Sequence, residues 1–143
     1  MRKLFLKALA KINLGLDVLG RRENGYHDVR MVMQSVYLYD EVAVEARTEQ
    51  GISLRTNLSF LPTGEANIAY KAAAMLKEEF GLGQGVRISL DKRIPVAAGL
   101  AGGSSDAAAV LFGMNRLFEL GLTQEQLMER GARLGADVPY CIM

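Results

Sequence analysis

The chain has 143 residues, half of them hydrophobic, and its 17 basic and 16 acidic residues leave a formal net charge of +1. These values are typical of one globular domain, and the balanced charge argues against a nucleic-acid partner, whose binders usually carry a basic patch. Charged residues interrupt the apolar N-terminal stretch, no apolar run approaches the ~18 residues that span a bilayer, and the single cysteine, Cys141, cannot form an internal disulfide. We therefore expect a cytoplasmic protein without a membrane partner.

The first part of the chain is predicted to be rich in β-strands. Loose alternation of apolar and polar residues predicts a strand or a hairpin pair over residues 2–19, and Asn24-Gly25 predicts a turn. β-Branched and aromatic residues predict one long strand or two short strands over 29–46, and a further short strand over 51–56.

Helices dominate the second part. After a loop over 57–67, Asn67 is expected to cap the first helix, and Thr123 with Gln126 fits a capping box at the start of the last one. Helices are predicted over 68–81, 105–121 and 123–135, and a strand over 85–92. The order predicts an α+β domain rather than a regular alternation of strands and helices.

The last eight residues, ADVPYCIM, form an apolar run that predicts a strand. Cys141 is interpreted as a buried residue of that strand, with no functional role. A chain end usually lies at the surface, so this apolar finish leads us to expect that the chain is cut and that a second domain is missing.

A glycine-rich segment, "RIPVAAGLAGGSSDAAAVLF" (residues 93–112), precedes an alanine-rich helix. Glycines in this segment can adopt positive φ and point backbone N–H groups into one concavity beside the positive end of the helix dipole, as in a phosphate site. A plain loop with a serine cap explains the composition equally well. Asp106 could favour the helix dipole, face away, or reach a magnesium ion. The segment lacks the lysine of a P-loop and does not fit the dinucleotide fingerprint.

The stretch "PVAAGLAGGSSDAAA" resembles the phosphate-binding loop of the GHMP kinases, named for galacto-, homoserine, mevalonate and phosphomevalonate kinases. Residues 7–42, 65–73 and 134–142 also resemble stretches of that family, in the family's order. The resemblance implies an α+β fold like domain 2 of ribosomal protein S5, with a mixed or antiparallel sheet and helices packed on one face. It further implies that residues 1–143 form the N-terminal nucleotide-binding domain of a two-domain enzyme.

The implied activity is ATP-dependent phosphorylation of an alcohol, with ATP and Mg²⁺ required. The motifs outside the loop favour the 2-hydroxyl of a diphosphocytidyl-methylerythritol as acceptor, in the non-mevalonate route to isoprenoid precursors. Because the second half of the cleft is missing, we expect this chain alone to be inactive or a weak binder. Two alternatives stay open: another GHMP small-molecule kinase, of the homoserine or mevalonate type, or a non-catalytic S5-like RNA-binding module.

The resemblance also assigns roles to individual residues. Asp137 would be the catalytic base, with Lys11 beside it, although from the residues alone they read as a turn residue and a solvated charge on an edge strand. Asn13, Tyr26 and His27 would contact the substrate, the last two at the cytidine, and Ser105 is a candidate magnesium ligand. The residues expected to bind ATP are Asn67 and the loop residues Pro95, Val96, Ala97, Ala98, Gly99, Leu100, Ala101, Gly102, Gly103, Ser104 and Ser105.

Overall fold

A computed structural model describes residues 3–14, 32–95 and 102–143, with the side chains of 11–14 and 32–37 set aside. Four strands and four helices occur in these ranges. In chain order they are β1 (Lys3–Leu14), β2 (Val32–Arg47), β3 (Ile52–Thr56), α1 (Ile68–Glu79), β4 (Gly85–Asp91), α2 (Gly102–Leu117), α3 (Gln124–Leu134) and α4 (Val138–Ile142). None of the helices in these ranges is long and apolar enough to cross a membrane.

The strands form one mixed sheet in the order β1-β2-β4-β3. β2 pairs antiparallel with both β1 and β4, whereas β3 pairs parallel with β4. The predicted α+β class with a mixed sheet is therefore confirmed. The described part of the run predicted over 29–46 lies in one long strand, β2, rather than two, and the β1–β2 register shifts between Leu9 and Ala10. The predicted turn at Asn24-Gly25 lies outside the described residues.

Helix α2 is the centre of the core. Its residues from Ser105 to Leu111 are buried, and Gly113 lets it approach the sheet closely. A Cβ atom on Gly113 would lie 3.1 Å from both Leu6 Cδ1 of β1 and Val44 Cγ2 of β2, which leaves little room for a side chain. This close packing fixes the height and direction of α2 over the sheet.

The helix boundaries follow local signals, with two differences from the predictions. Asn67 caps α1, and the capping box of Thr123 and Gln126 is present at α3. However, α2 begins at Gly102, before the expected start, so Gly102 and Gly103 are helical and do not have the positive φ expected of them.

The second difference is at the end of the chain. The run predicted as a strand, including Cys141, is instead the short helix α4. Pro139 lies in its first turn, where the fixed φ of proline suits a helix and its missing N–H costs nothing. Cys141 is half-buried in this helix. Apolar periodicity over so few residues does not distinguish a strand from a helix, and the proline was the better signal.

Candidate functional site

The first turn of α2 packs closely against two other elements. A Cβ atom added to Gly102 would lie 3.1 Å from Ile94 Cγ2, just beyond β4. A Cβ atom added to Gly103 would lie 3.9 Å from Cδ1 of Ile68, the first residue of α1. The N-termini of α1 and α2 and the end of β4 therefore converge. Both helices direct the positive ends of their dipoles toward this region.

The turn between α3 and α4 reaches the same place. A Cβ atom added to Gly135 would lie 3.9 Å from Oγ of Ser104 in the first turn of α2. Two residues later, Asp137 occupies the N-cap position of α4, is exposed, and makes no cap hydrogen bond with its side chain. The fold thus brings the turn that carries Asp137 to the start of α2, as the resemblance implies.

Ser104 and Ser105 lie within the first turns of α2, so neither is its N-cap. Ser104 is half-buried beside the α3–α4 turn, whereas Ser105 is only 4% exposed. Ser105 lines a groove of about 270 Å³ between α2, β1 and α4, together with Leu9 and Ile142. Roles for the two hydroxyls in binding phosphate or magnesium stay predictions.

Asn67 uses its side chain to organise the start of α1. Its Oδ1 accepts a hydrogen bond from the Ala69 N–H at 2.9 Å, and its Nδ2 donates to the Pro62 carbonyl at 3.1 Å. The predicted cap is confirmed. Contact with ATP stays a prediction, supported by the proximity of Ile68, the next residue, to Gly103.

For most of the other predicted site residues, the structure describes either the backbone alone or nothing. Lys11 and Asn13 belong to β1, where Lys11 pairs with Ser35 and Asn13 with Met33, and their side chains are among those set aside. Pro95 is exposed just after β4. The remaining predicted residues, Tyr26, His27, Val96, Ala97, Ala98, Gly99, Leu100 and Ala101, lie outside the described residues.

A buried ionic cluster beneath the start of α2 was not predicted. Asp40, Lys92 and Asp106 are 0%, 9% and 2% exposed. Lys92 Nζ donates to Asp40 Oδ2 and to Asp106 Oδ2, each at 2.6 Å. Asp106 therefore faces inward, which was one of the orientations left open. Its Oδ1 is buried and has no hydrogen-bond partner among the described residues.

The pKa values of the three side chains indicate which of them are charged at neutral pH. Burial, first of all, and the Asp40 carboxylate raise the pKa of Asp106 to about 8, against the opposing effect of the Lys92 ammonium. Burial alone would raise the pKa of Asp40, but hydrogen bonds with Asp106, Lys92 and two backbone N–H groups bring it below its ordinary value. Burial likewise tends to lower the pKa of Lys92, but the two aspartates outweigh it and raise that pKa. At neutral pH the cluster is therefore one ion pair beside a neutral Asp106.

We expect this neutral Asp106 to make stability depend on pH. Its pKa is about 8 in the folded state against an ordinary value of 3.8, so between these limits the folded state holds a proton that the unfolded state lacks. Stability should therefore fall as pH rises from 5 to 8, by up to about 1.4 kcal/mol per pH unit. The lowered pKa of Asp40 affects stability only at more acidic pH. Urea unfolding at several pH values measures the slope.

The Asp106→Asn variant is expected to flatten this slope, because the amide does not titrate. Glu129→Gln, which removes an exposed carboxylate on α3, serves as the matched control and should keep the wild-type slope. A slope in Asp106→Asn equal to that of the wild type would contradict a protonated Asp106.

Strand periodicity could have revealed two members of the cluster. On β2, Asp40 has the same parity as the buried residues Val42 and Val44, and just beyond β4, Lys92 has the same parity as Leu90. Side chains two residues apart on a strand face the same side of the sheet, so both charges were predictable as inward-facing. A charge on a buried face requires a partner, which is the signal that the sequence analysis missed.

Comparison with known proteins identifies the class to which this fold and site belong. Residues 67–143 match the family "GHMP kinases N terminal domain", and this chain belongs to the GHMP kinase family. The expectation drawn from the glycine-rich segment is thus confirmed.

Within the family, the chain is similar to one particular enzyme. It is 59% identical to the 4-diphosphocytidyl-2-C-methyl-D-erythritol kinase of Lachnospira eligens over 143 residues, covering 100% of this chain and 50% of that protein. It is 55% identical to the enzyme of the same name from Acetivibrio thermocellus, covering 99% of this chain and 50% of that protein. The chain therefore spans about half the length of the curated relatives it matches.

Solved structures agree with these matches. The crystal structure of a 4-(cytidine 5'-diphospho)-2C-methyl-D-erythritol kinase is 40% identical, with a TM-score of 0.74, and covers 97% of this chain and 48% of that one. A homoserine kinase from Cytophaga hutchinsonii has the same TM-score at 20% identity, covering 94% of this chain and 41% of that one. The second likeness shows the shared fold alone.

Proposed function

We propose that this chain is the N-terminal, nucleotide-binding part of an ATP-dependent kinase. Its substrate would be 4-diphosphocytidyl-2-C-methyl-D-erythritol, phosphorylated on the 2-hydroxyl in the non-mevalonate route to isoprenoid precursors. The observation that carries the proposal is the convergence of the α2 N-terminus with the turn that holds Asp137. The similarity to kinases of that name supports the choice of substrate. A cytoplasmic location, where ATP is available, belongs to the same proposal.

The start of α2 would bind the triphosphate of ATP. Its first turn contributes unpaired backbone N–H groups and the positive end of the helix dipole, which together favour an anion. Gly103 is exposed there, with no side chain to keep a phosphate away from the backbone. The N-terminus of α1 lies alongside and adds a second positive dipole end.

Asp137 would accept the proton of the substrate hydroxyl. In the transfer, the hydroxyl oxygen forms a bond to the γ-phosphorus while the bond from that phosphorus to the β–γ bridging oxygen breaks, and ADP leaves. The proton passes to the Asp137 carboxylate, which is exposed and not occupied in capping α4. Lys11, on β1, would help to polarise the hydroxyl.

Mg²⁺ fits this site as a partner of the nucleotide. No three His, Cys, Asp or Glu side chains cluster as a metal site in residues 3–14, 32–95 and 102–143. Mg²⁺ in kinases is commonly held by substrate phosphates with one or two protein ligands, so it does not require such a cluster. Ser105, near the start of α2, would be the candidate protein ligand, and the bound ion would neutralise phosphate charge.

The proposal is tested with the intact protein and a panel of alcohols. We expect phosphorylation of 4-diphosphocytidyl-2-C-methyl-D-erythritol by ATP, and little or none of homoserine or mevalonate, measured as ADP release and confirmed by mass spectrometry of the product. Turnover of homoserine or mevalonate instead would assign another GHMP activity. Salt-sensitive RNA binding without any turnover would favour the S5-like RNA-binding alternative.

A parallel assay of the 143-residue chain and the intact protein shows whether this chain alone binds ATP and turns over substrate. We expect it to bind ATP weakly and to show no turnover, because the resemblance places half of the cleft in a second domain. Equal turnover by the two proteins would show that the 143-residue chain contains a complete active site.

A further inference from the structure

The residues on either side of the undescribed part of the glycine-rich segment lie in contact with each other. Ile94 precedes this part and Gly102 follows it, and a Cβ atom on Gly102 would lie 3.1 Å from Ile94 Cγ2 and 3.5 Å from Lys92 Nζ. The chain therefore leaves β4 and enters α2 at one point. We call this point the neck and define it by Asp40, Lys92, Ile94, Gly102 and Asp106.

Asp40 holds the β4 side of the neck. Its Oδ1 accepts hydrogen bonds from the backbone N–H groups of Arg93 at 2.6 Å and Ile94 at 2.8 Å, and its Oδ2 accepts from Lys92 Nζ at 2.6 Å. The β2–β4 ladder ends at the pair Glu41 and Asp91. The Asp40 carboxylate thus accepts hydrogen bonds from two N–H groups that lie beyond the end of the β2–β4 ladder.

The same cluster reaches the α2 side of the neck. Lys92 Nζ also donates to Asp106 Oδ2 at 2.6 Å, and Asp106 lies in the second turn of α2. The backbone of Lys92 is fixed independently by Asn57, which accepts from its N–H at 2.8 Å and donates to its carbonyl at 3.2 Å. Through Lys92, Asp40 therefore fixes the end of β4 relative to the start of α2.

We infer that Asp40 is a positioning residue for the phosphate site: it holds the backbone of Arg93 and Ile94 against the first turns of α2, so that the α2 N-terminus is fixed where it binds the anion. This inference rests on the proposed function, in which that anion is the ATP triphosphate. Asp40 does not touch the nucleotide in this role. It acts through the backbone of Arg93 and Ile94 and through Lys92.

Packing alone does not account for Asp40. A buried ion pair is often no more stabilising than apolar side chains of similar volume, and the neighbouring inward positions of β2 carry valine. What an apolar residue at position 40 would not supply is an acceptor for two backbone N–H groups that have left the sheet. The carboxylate therefore specifies a backbone geometry at the neck.

The test compares Asp40→Asn with Val44→Ala in the intact protein. The asparagine keeps an acceptor but loses the charge, and Asp106 can then ionise to balance Lys92, so we expect the fold to persist. Val44 is buried on the same strand and packs against α2 near Gly113, away from the neck, so Val44→Ala lowers stability without loosening the neck. Asp40→Ser, which keeps a single small acceptor, is the second variant if the asparagine variant fails to fold.

Two measurements distinguish positioning from general stability. Amide hydrogen exchange of Arg93, Ile94 and residues 102–106 should accelerate about tenfold or more in the Asp40 variant, and not in Val44→Ala. Calorimetric titration with MgATP should give an affinity weakened about tenfold in the Asp40 variant and nearly unchanged in Val44→Ala.

Each outcome has a definite meaning. Equal losses of ATP affinity in the two variants, or unchanged exchange at the neck in the Asp40 variant, would overturn the positioning role. Absence of ATP binding by the wild-type protein would overturn it as well. If the wild type binds ATP but phosphorylates none of the alcohols, the proposed reaction fails, whereas the affinity and exchange data still support or refute the role of Asp40.

Discussion

Asp137→Asn in the intact protein is expected to lower kcat by roughly 10²–10⁴-fold, the usual contribution of a positioned general base. The amide has nearly the same shape as the carboxylate but accepts no proton at neutral pH. Asp137 is exposed and makes no side-chain cap hydrogen bond, so the fold should not depend on its charge. Steady-state kinetics give kcat, and thermal unfolding shows whether the structure persists.

Glu125→Gln provides the matched control for this variant. Glu125 is also an exposed acid at the start of a helix, in the first turn of α3. Its replacement should leave kcat within about threefold of the wild-type value, as for most surface changes away from a site. A kcat for Asp137→Asn that is equally close to wild type would remove this residue from the proposed mechanism.

Gly103→Val is expected to weaken ATP binding by about tenfold or more while leaving the fold intact. Among the described residues beyond α2 itself, the Cβ atom would meet nothing closer than Cδ1 of Ile68 at 3.9 Å, which leaves room for the side chain. Valine at this exposed position would instead occupy the space through which a phosphate approaches the α2 backbone. Calorimetric titration with MgATP measures the affinity, and thermal unfolding reports the stability.

Gly83→Val is the control for the change of glycine to valine itself. Gly83 lies in the turn before β4, and a Cβ atom there would meet nothing within 4 Å. We expect wild-type ATP affinity in this variant. Unchanged affinity in Gly103→Val would show that the start of α2 is structural and binds no phosphate. Gly102→Val is less informative, because its Cβ atom would press on Ile94 at 3.1 Å and disturb the neck as well.

The parts of the fold that follow local rules were predictable from the sequence. Asn67 and the pair Thr123 and Gln126 stand at helix starts because their side chains satisfy N–H groups within a few residues, and such signals are visible in the sequence. The end of α1 is of the same kind, because Gly81 follows the C-cap residue Phe80 and has a φ of +59°. The start of α2 within the glycines was not predictable in this way, because its packing against Ile94 and Ile68 is a tertiary contact.

The candidate site was predictable only in part, for a related reason. The resemblance to the GHMP kinases singled out the residues around the α2 N-terminus and Asp137, and the fold places Gly135, two residues before Asp137, beside Ser104. The resemblance gave no indication of Asp40 and Lys92, which pair with each other although 52 positions separate them in the chain. Pairing across such a separation depends on the order of strands in the sheet, and the sequence alone did not establish that order.

The contacts at the neck bear on what a break in the backbone between β4 and α2 would do. Because β4 and α2 are joined there by side-chain and packing contacts, the peptide bonds between residues 95 and 102 are not what holds these two elements together. A single cleavage in that interval would leave a nicked protein whose two pieces stay associated, in the manner of a fragment complex.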